Sequence, residues 1–193
     1  MGARRRSGIF IGLFVIVLII IIGGSWWVRS RNSIVTLDED INAAWAEIDN
    51  QLKRRSDLIG NLVASVKGVM TQESEIFTAI ADARSRLAGA NSVAETAEGY
   101  NQIEGALSRL LVVMENYPQL RSGDQMTQLM DELAGTENRI AVARKRYNDE
   151  VRKYNTRVRT FPGSMFARSM GFEQRDYFEI DESDREAPRV DFS

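Results

Sequence analysis

The sequence predicts an all-α protein with a single N-terminal transmembrane helix and a mostly helical domain built on long, coiled-coil-like helices. Three observations carry this. Residues 9–28 contain no charged side chain. Between Asn32 and Thr160 the apolar residues recur at steps of three or four, the period of a half-buried helix. No proline precedes Pro118 to break that pattern.

Residues 9–28 read IFIGLFVIVLIIIIGGSWWV. At about 1.5 Å rise per residue they reach about 30 Å, the thickness of a hydrocarbon core. Backbone polar groups in lipid need internal partners, which a helix supplies. Ile9, Phe10, Leu13, Phe14 and Ile20 form the apolar body of the span. Trp26 and Trp27 fall where an aromatic belt meets the headgroups. A cleaved secretory signal shares the basic start and small residues such as Gly23, Gly24 and Ser25. Its apolar part is usually shorter, about 7–15 residues, and the paired tryptophans favour an anchor. The chain has no cysteine, which removes a lipoprotein anchor, disulfides and thiolate chemistry. Residues 1–8 are a basic flank with Arg4, Arg5 and Arg6, and Arg29 and Arg31 follow the span. The Lys and Arg count favours a cytoplasmic N-terminus and an extracytoplasmic domain.

Residues 29–35 read as a juxtamembrane linker. The first helix beyond it opens at Thr36-Leu37-Asp38-Glu39, a capping-box pattern. Its apolar line runs Ile41, Trp45, Ile48, Leu52, Ile59, Leu62, Val66 and Val69, with Arg55 interrupting it. Gly60 and Gly68 suggest a bend or a close helix approach. A second helix carries Ile76, Phe77, Ile80, Ala83 and Leu87 and stops at Gly89. Ser92-Val93-Ala94-Glu95 is another capping box, opening a helix that Pro118 ends. Ser122-Gly123-Asp124-Gln125 begins what reads as the longest regular segment. Its seam of Leu133, Ile140, Tyr147, Tyr154 and Phe161 has heptad spacing, with Met130, Val151 and Val158 on a second line. Helices of roughly 35 residues would reach about 50 Å.

Glu137 and Arg144 are polar on that second line. Buried charges need partners, so Arg55 or Arg144 paired with Glu137 is a candidate register lock, within or between chains. The alternative is that these side chains snorkel from the edge. Tyr147 and Tyr154 read as core residues with their hydroxyls at the rim. Asn148 and Asn155 follow them at the same interval and suit bonds between helices or subunits. Residues 163–193 read as an irregular acidic tail. From Glu173 onward it holds eight acidic residues and three arginines. Phe172, Tyr177, Phe178 and Ile180 would dock onto the domain or a partner, and a solvated tail is expected beyond Glu182.

A formal net charge of −2 gives no electrostatic case for nucleic acid. The absence of histidine removes the commonest general base and metal ligand. There is no phosphate-binding loop and no dinucleotide fingerprint. Glu47, Asp49 and Asp57 read as a solvated face rather than a carboxylate metal site. Lys53-Arg54-Arg55 points three ways on a helix, which argues against a single lipid-binding patch. No catalytic residue, cofactor or metal site is expected, and no enzyme activity.

Three blocks carry a family resemblance. They are AWAEIDNQLKRRSDLIGNLVASVKG (44–68), ENYPQLRSG (115–123) and TENRIAVARKRYNDEVRKYN (136–155). Phe161-Pro162, Gly171-Phe172 and Tyr177-Phe178-Glu179 follow in order. Together with the span, the chain resembles the LemA family of bacterial membrane proteins. It departs from the family at Gly60, where a proline is usual, and at Met126, where phenylalanine is frequent. The resemblance implies a single-pass protein of the bacterial inner membrane with an antiparallel four-helix bundle, 36–162, and implies no catalytic mechanism. The expected function is a membrane-anchored, homo-oligomeric scaffold that organises or remodels the lipid bilayer. The rival expectation is an adaptor or sensor for another envelope protein, such as a membrane protease or signalling component, contacted through the aromatic tail.

Overall fold

In the computed structural model, residues 2–121 and 123–179 are described, with side chains from 12 to 120 and from 123 to 179. Every regular element among them is a helix: α1 Gly2–Val66, α2 Ser74–Ala88, α3 Val93–Met114, α4 Pro118–Arg121, α5 Asp124–Arg159 and α6 Gly163–Met170. Residues 29–35, expected as a linker, are helical, and Thr36 lies mid-helix instead of capping one. The residues flanking this stretch are helix-compatible and lack proline, so the backbone ladder has no reason to break. At 65 residues α1, not α5, is the longest element. The helix also runs through Gly60 unbroken.

The Ser92 box forms as read. The Ser92 hydroxyl accepts from the Glu95 amide at 3.2 Å, and the Glu95 carboxylate accepts from the Asn91 amide at 2.7 Å. α6 is the clearest departure, a helix where an irregular tail was expected. It follows a cis Phe161–Pro162 bond and ends at Gly171, whose φ of 73° is left-handed.

The chain divides into two units. One comprises residues 43–151 and 176–193. Its core takes Leu58, Ile59, Leu62 and Val66 from α1, Phe77 and Ile80 from α2, Ile103, Leu107 and Leu110 from α3, and Met126 and Leu133 from α5. α2 and α3 approach closely at Gly99, where an added Cβ would stand 3.0 Å from the Leu87 Cα. Neither Gly60 nor Gly68 faces another helix's backbone so closely: a Cβ at Gly60 would meet only the Arg84 guanidinium, at 2.8 Å, and one at Gly68 would meet nothing within 4 Å.

The other unit comprises residues 1–42 and 152–175. Ser30 and Ile34 are buried here, so the inward line of α1 starts earlier than Ile41. The Arg157 guanidinium donates to the Ser30 hydroxyl at 3.2 Å. Tyr154 and Val158 are buried, but Phe161 is 78% exposed. α5 ends at Arg159, so Phe161 falls off the seam that its heptad spacing suggested.

Candidate functional site

Three arrangements carry polar or apolar side chains that the helices themselves do not require. In the unit of residues 43–151 and 176–193, Arg55 lies in the apolar line of α1 at 5% exposure. Its Nε and one terminal nitrogen donate to the two carboxylate oxygens of Glu104 at 2.6 and 2.7 Å, a bidentate fork. That nitrogen also lies 3.3 Å from the Glu137 carboxylate. The other terminal nitrogen donates to the Leu133 carbonyl at 2.7 Å and the Thr136 hydroxyl at 3.2 Å. The Tyr100 hydroxyl donates to Glu137 in a short hydrogen bond. Arg55 and Glu137 therefore meet, with Glu104 as the closer partner; Arg144 is half-buried on α5.

Burial works against the Arg55 charge, but the Glu104 hydrogen bond and the Glu104, Tyr100 and Glu137 charges outweigh it and raise the pKa. Burial first, then Glu104 and Glu137, pushes the Tyr100 phenol far above its usual 10. Both groups thus hold their protons throughout neutral pH, so neither serves as a base there. The cluster is suited to fixing helices against one another.

The chain from Phe172 to Glu179 has no regular secondary structure and forms a strap held by a repeated Tyr-Asn pair on α5. In the unit of residues 1–42 and 152–175, the Tyr154 hydroxyl donates to the Glu173 carbonyl at 2.9 Å. The Asn155 side chain donates to the Arg175 carbonyl at 2.8 Å and accepts from its amide at 2.9 Å. Arg175 then grips Asp38 through two nitrogens, at 2.9 and 3.1 Å. Burial, then Asp38, raises the Tyr154 pKa.

In the other unit, Tyr147 donates to the Asp176 carbonyl at 2.9 Å, and Asn148 makes the same pair of bonds with Phe178, at 3.1 and 2.8 Å. Phe178 is 1% exposed, with Trp45 at 5.9 Å; Trp45 also stacks 5.4 Å from Tyr147. Of the aromatic tail, Phe178 is consumed inside the chain, Phe172 is half-buried, Tyr177 is 41% exposed, and Ile180 lies outside the described residues, as does the expected tail beyond Glu182. The two asparagines bind strap backbone rather than another helix. The seven-residue Tyr-Asn repeat was the visible signal, and what it lacked was the partner's identity.

The third arrangement is the apolar span. From Leu13 to Val28 its large apolar side chains are between 45% and 67% exposed. The chain has one helix long and apolar enough to cross a membrane among the described residues; the side chains of Ile9 and Phe10 lie outside them. At its far end the Phe166 ring of α6 meets Trp26 at 5.4 Å and Trp27 at 6.5 Å, both edge-on.

The remaining sequence candidates are surface features. Glu47 pairs with Arg146 at 3.0 Å, while Asp49 and Asp57 are exposed. Lys53 is exposed, Arg54 reaches Glu132 at 3.2 Å, and Arg55 is buried, so the basic run divides as helical spacing requires. No group of three or more His, Cys, Asp or Glu among the described residues is placed to hold a metal.

Residues 44–192 match the model of the LemA family. A magnetosome protein, MamQ 1 of Paramagnetospirillum magneticum, is 27% identical over 174 residues, covering 77% of this chain and 64% of the relative. The magnetosome protein MamQ of Magnetospirillum gryphiswaldense is 26% identical, over 76% and 64%. Protein LemA of Metamycoplasma hominis is 24% identical over 178 residues, covering 89% of this chain and 80% of that protein. The chain thus spans about 64% of the length of the magnetosome relatives.

Proposed function

The chain belongs to the LemA family, and from that premise we propose that it is a single-pass membrane scaffold, anchored by residues 9–28, that self-associates and organises or remodels the bilayer. The observation that carries this reading is the continuity of α1. One 65-residue helix holds both the exposed apolar span and the inward line from Ile41 to Val66. Exposed apolar surface of that length is unfavourable in water at about 25 cal/mol per Å² and favourable in lipid.

Several features support the rest of the reading. An antiparallel four-helix bundle of α1, α2, α3 and α5 fits the core residues they share. The charge cluster of Arg55, Glu104 and Glu137 ties α1, α3 and α5 together, which suits a structural role. Val112 on α3 and Val142 on α5 are 65% and 68% exposed, apolar positions available to a second copy. Gly23 and Gly24 in the span have open flanks, as close helix approach in lipid requires. The family match and the relatives named as magnetosome proteins agree with a membrane-associated helical protein. The domain belongs on the extracytoplasmic side of the bacterial inner membrane by its Lys and Arg placement. The adaptor reading is weaker because Phe178, one of its four expected contacts, is already buried against Trp45.

Mass measurement of the full-length protein in mild detergent tests the proposal. Discrete multimers at micromolar concentration are expected, and a strict monomer overturns the scaffold.

A further inference from the structure

We propose that α6, with the corner before it, is an interfacial foot lying in the headgroup layer beside the span and inserting Phe161 and Met165 into the acyl boundary of the same bilayer. The inference rests on the membrane-spanning reading of residues 9–28.

Depth comes from the aromatic contacts. Trp26 and Trp27 end the apolar run, and Phe166 packs edge-on against both. Indole rings at the end of a span settle at the headgroup level. A helix touching both rings shares that level. The Arg157–Ser30 bond, four residues past Trp26, holds the end of α5 to α1 within the same unit.

Orientation comes from the inward face. Ala167 is 1% exposed and Gly163 is buried. A Cβ at Gly163 would stand 2.0 Å from the Arg157 carbonyl oxygen, so only glycine fits there. With that face fixed, the other side of the helix presents Met165 at 63% exposure, and Phe161, two residues before the helix, is 78% exposed. Arg168 and Ser169 follow another turn on and are exposed.

Met165 on the helix, with Phe161 just before it and the basic Arg168 beside it, suits an interface between lipid and water. The surrounding charge agrees. Arg29, Arg31 and Arg159 are exposed in this unit, Asp38 is engaged by Arg175, and the exposed acids are Glu39 and Asp40, twelve and thirteen residues past Trp27 along α1, and Glu173 beyond α6. Anionic headgroups complement that arrangement. Through Phe166 the helix stands at the depth of Trp26 and Trp27, where the exposed apolar surface of the span ends, and this singles out the bilayer as the occupant.

The chain has no cysteine, so single-cysteine spin labelling of the full-length protein needs no background removal. Met165→Cys, Phe161→Cys, Ile20→Cys and Val142→Cys are each labelled in vesicles of mixed zwitterionic and anionic phospholipid. Collision with oxygen, which partitions into lipid, is compared with collision with a water-soluble nickel chelate. The expected result is a several-fold higher oxygen-to-nickel ratio at positions 161 and 165 than at 142, and a higher one still at position 20. Ser169→Cys reads the same helix with both apolar side chains intact, and Phe161→Glu with Met165→Glu should move that label toward water. A deep position 20 with 161 and 165 matching 142 overturns the foot and leaves the span standing. Position 20 in water overturns the span reading itself. Spin–spin broadening at 165 without oxygen enrichment identifies a second copy as the occupant, and also overturns the foot.

Discussion

Arg55 occupies an apolar line at 5% exposure, and two carboxylates neutralise it. Removing one partner of a buried pair leaves the other uncompensated, at about 3–5 kcal/mol. Glu104 and Glu137 are 30% and 32% exposed, so water relieves part of that cost. Arg55→Met is therefore expected at the lower end, about 3 kcal/mol by urea unfolding. Glu104 provides the bidentate fork and Glu137 the longer contact, so Glu104→Gln should destabilise more than Glu137→Gln. The reverse ranking would remove Glu104 as the principal partner.

Tyr100 adds a pH dependence. Its folded pKa is raised above 10, so the folded chain keeps a proton that the unfolded chain releases. The unfolded state then binds fewer protons, and stability present below pH 10 is lost as the pH rises beyond it. Tyr154 contributes with the same sign. The melting temperature should fall between about pH 9 and 11, with a smaller fall in Tyr100→Phe. Equal slopes in the two proteins would sink the assignment.

At the scale of elements, the strap and the helix approaches are the parts most open to test. Asn155 satisfies both backbone groups of Arg175, and Asn148 those of Phe178. Asn155→Ala should speed hydrogen exchange at the Arg175 amide, and Asn148→Ala at Phe178, by roughly tenfold or more for about 1.4 kcal/mol lost. Unchanged protection would mean that the clamps hold nothing.

The glycines divide by what faces them. Gly99→Ala drives a Cβ to 3.0–3.2 Å from the Leu87 backbone and Cβ, and is expected to cost about 1–3 kcal/mol. At Gly60 the Cβ meets only the far end of the long Arg84 side chain, which can give by a few tenths of an ångström and whose Nε donates to the part-buried Ser56 hydroxyl at 3.1 Å. Gly60→Ala should be neutral or stabilising by up to about 1 kcal/mol through helix propensity. Comparing the two unfolding curves decides it. Both glycines look alike as letters within a helical pattern, and only the facing atoms separate them.

At the scale of the molecule, the span is the test of where the protein lives. Arginine at a helix centre in a bilayer costs about 2.5–3.5 kcal/mol. Ile16→Arg with Ile20→Arg should shift the full-length chain from the carbonate-resistant membrane fraction toward the soluble one. Full retention in the membrane fraction would contradict a spanning role for residues 9–28.

Residue order alone was enough to read the helical class, the family, the uncharged span, the Ser92 cap and most of the inward line from Ile41 to Val66. Each follows from periodicity or composition, which local geometry converts directly into burial. It also located Arg55 and Glu137 as polar residues in apolar lines. Only the tertiary structure supplied Glu104 as the closer partner, because it lies 49 positions away on another helix and looks like any solvated acid. The same holds for the strap, whose backbone groups carry no sequence signature of who will bond them. Phe161 shows the converse. Its heptad position promised burial, but α5 ends at Arg159 and the chain turns at Pro162, so the side chain faces out. Periodicity reports which side of a helix is apolar, and only packing decides where the helix stops and what covers it.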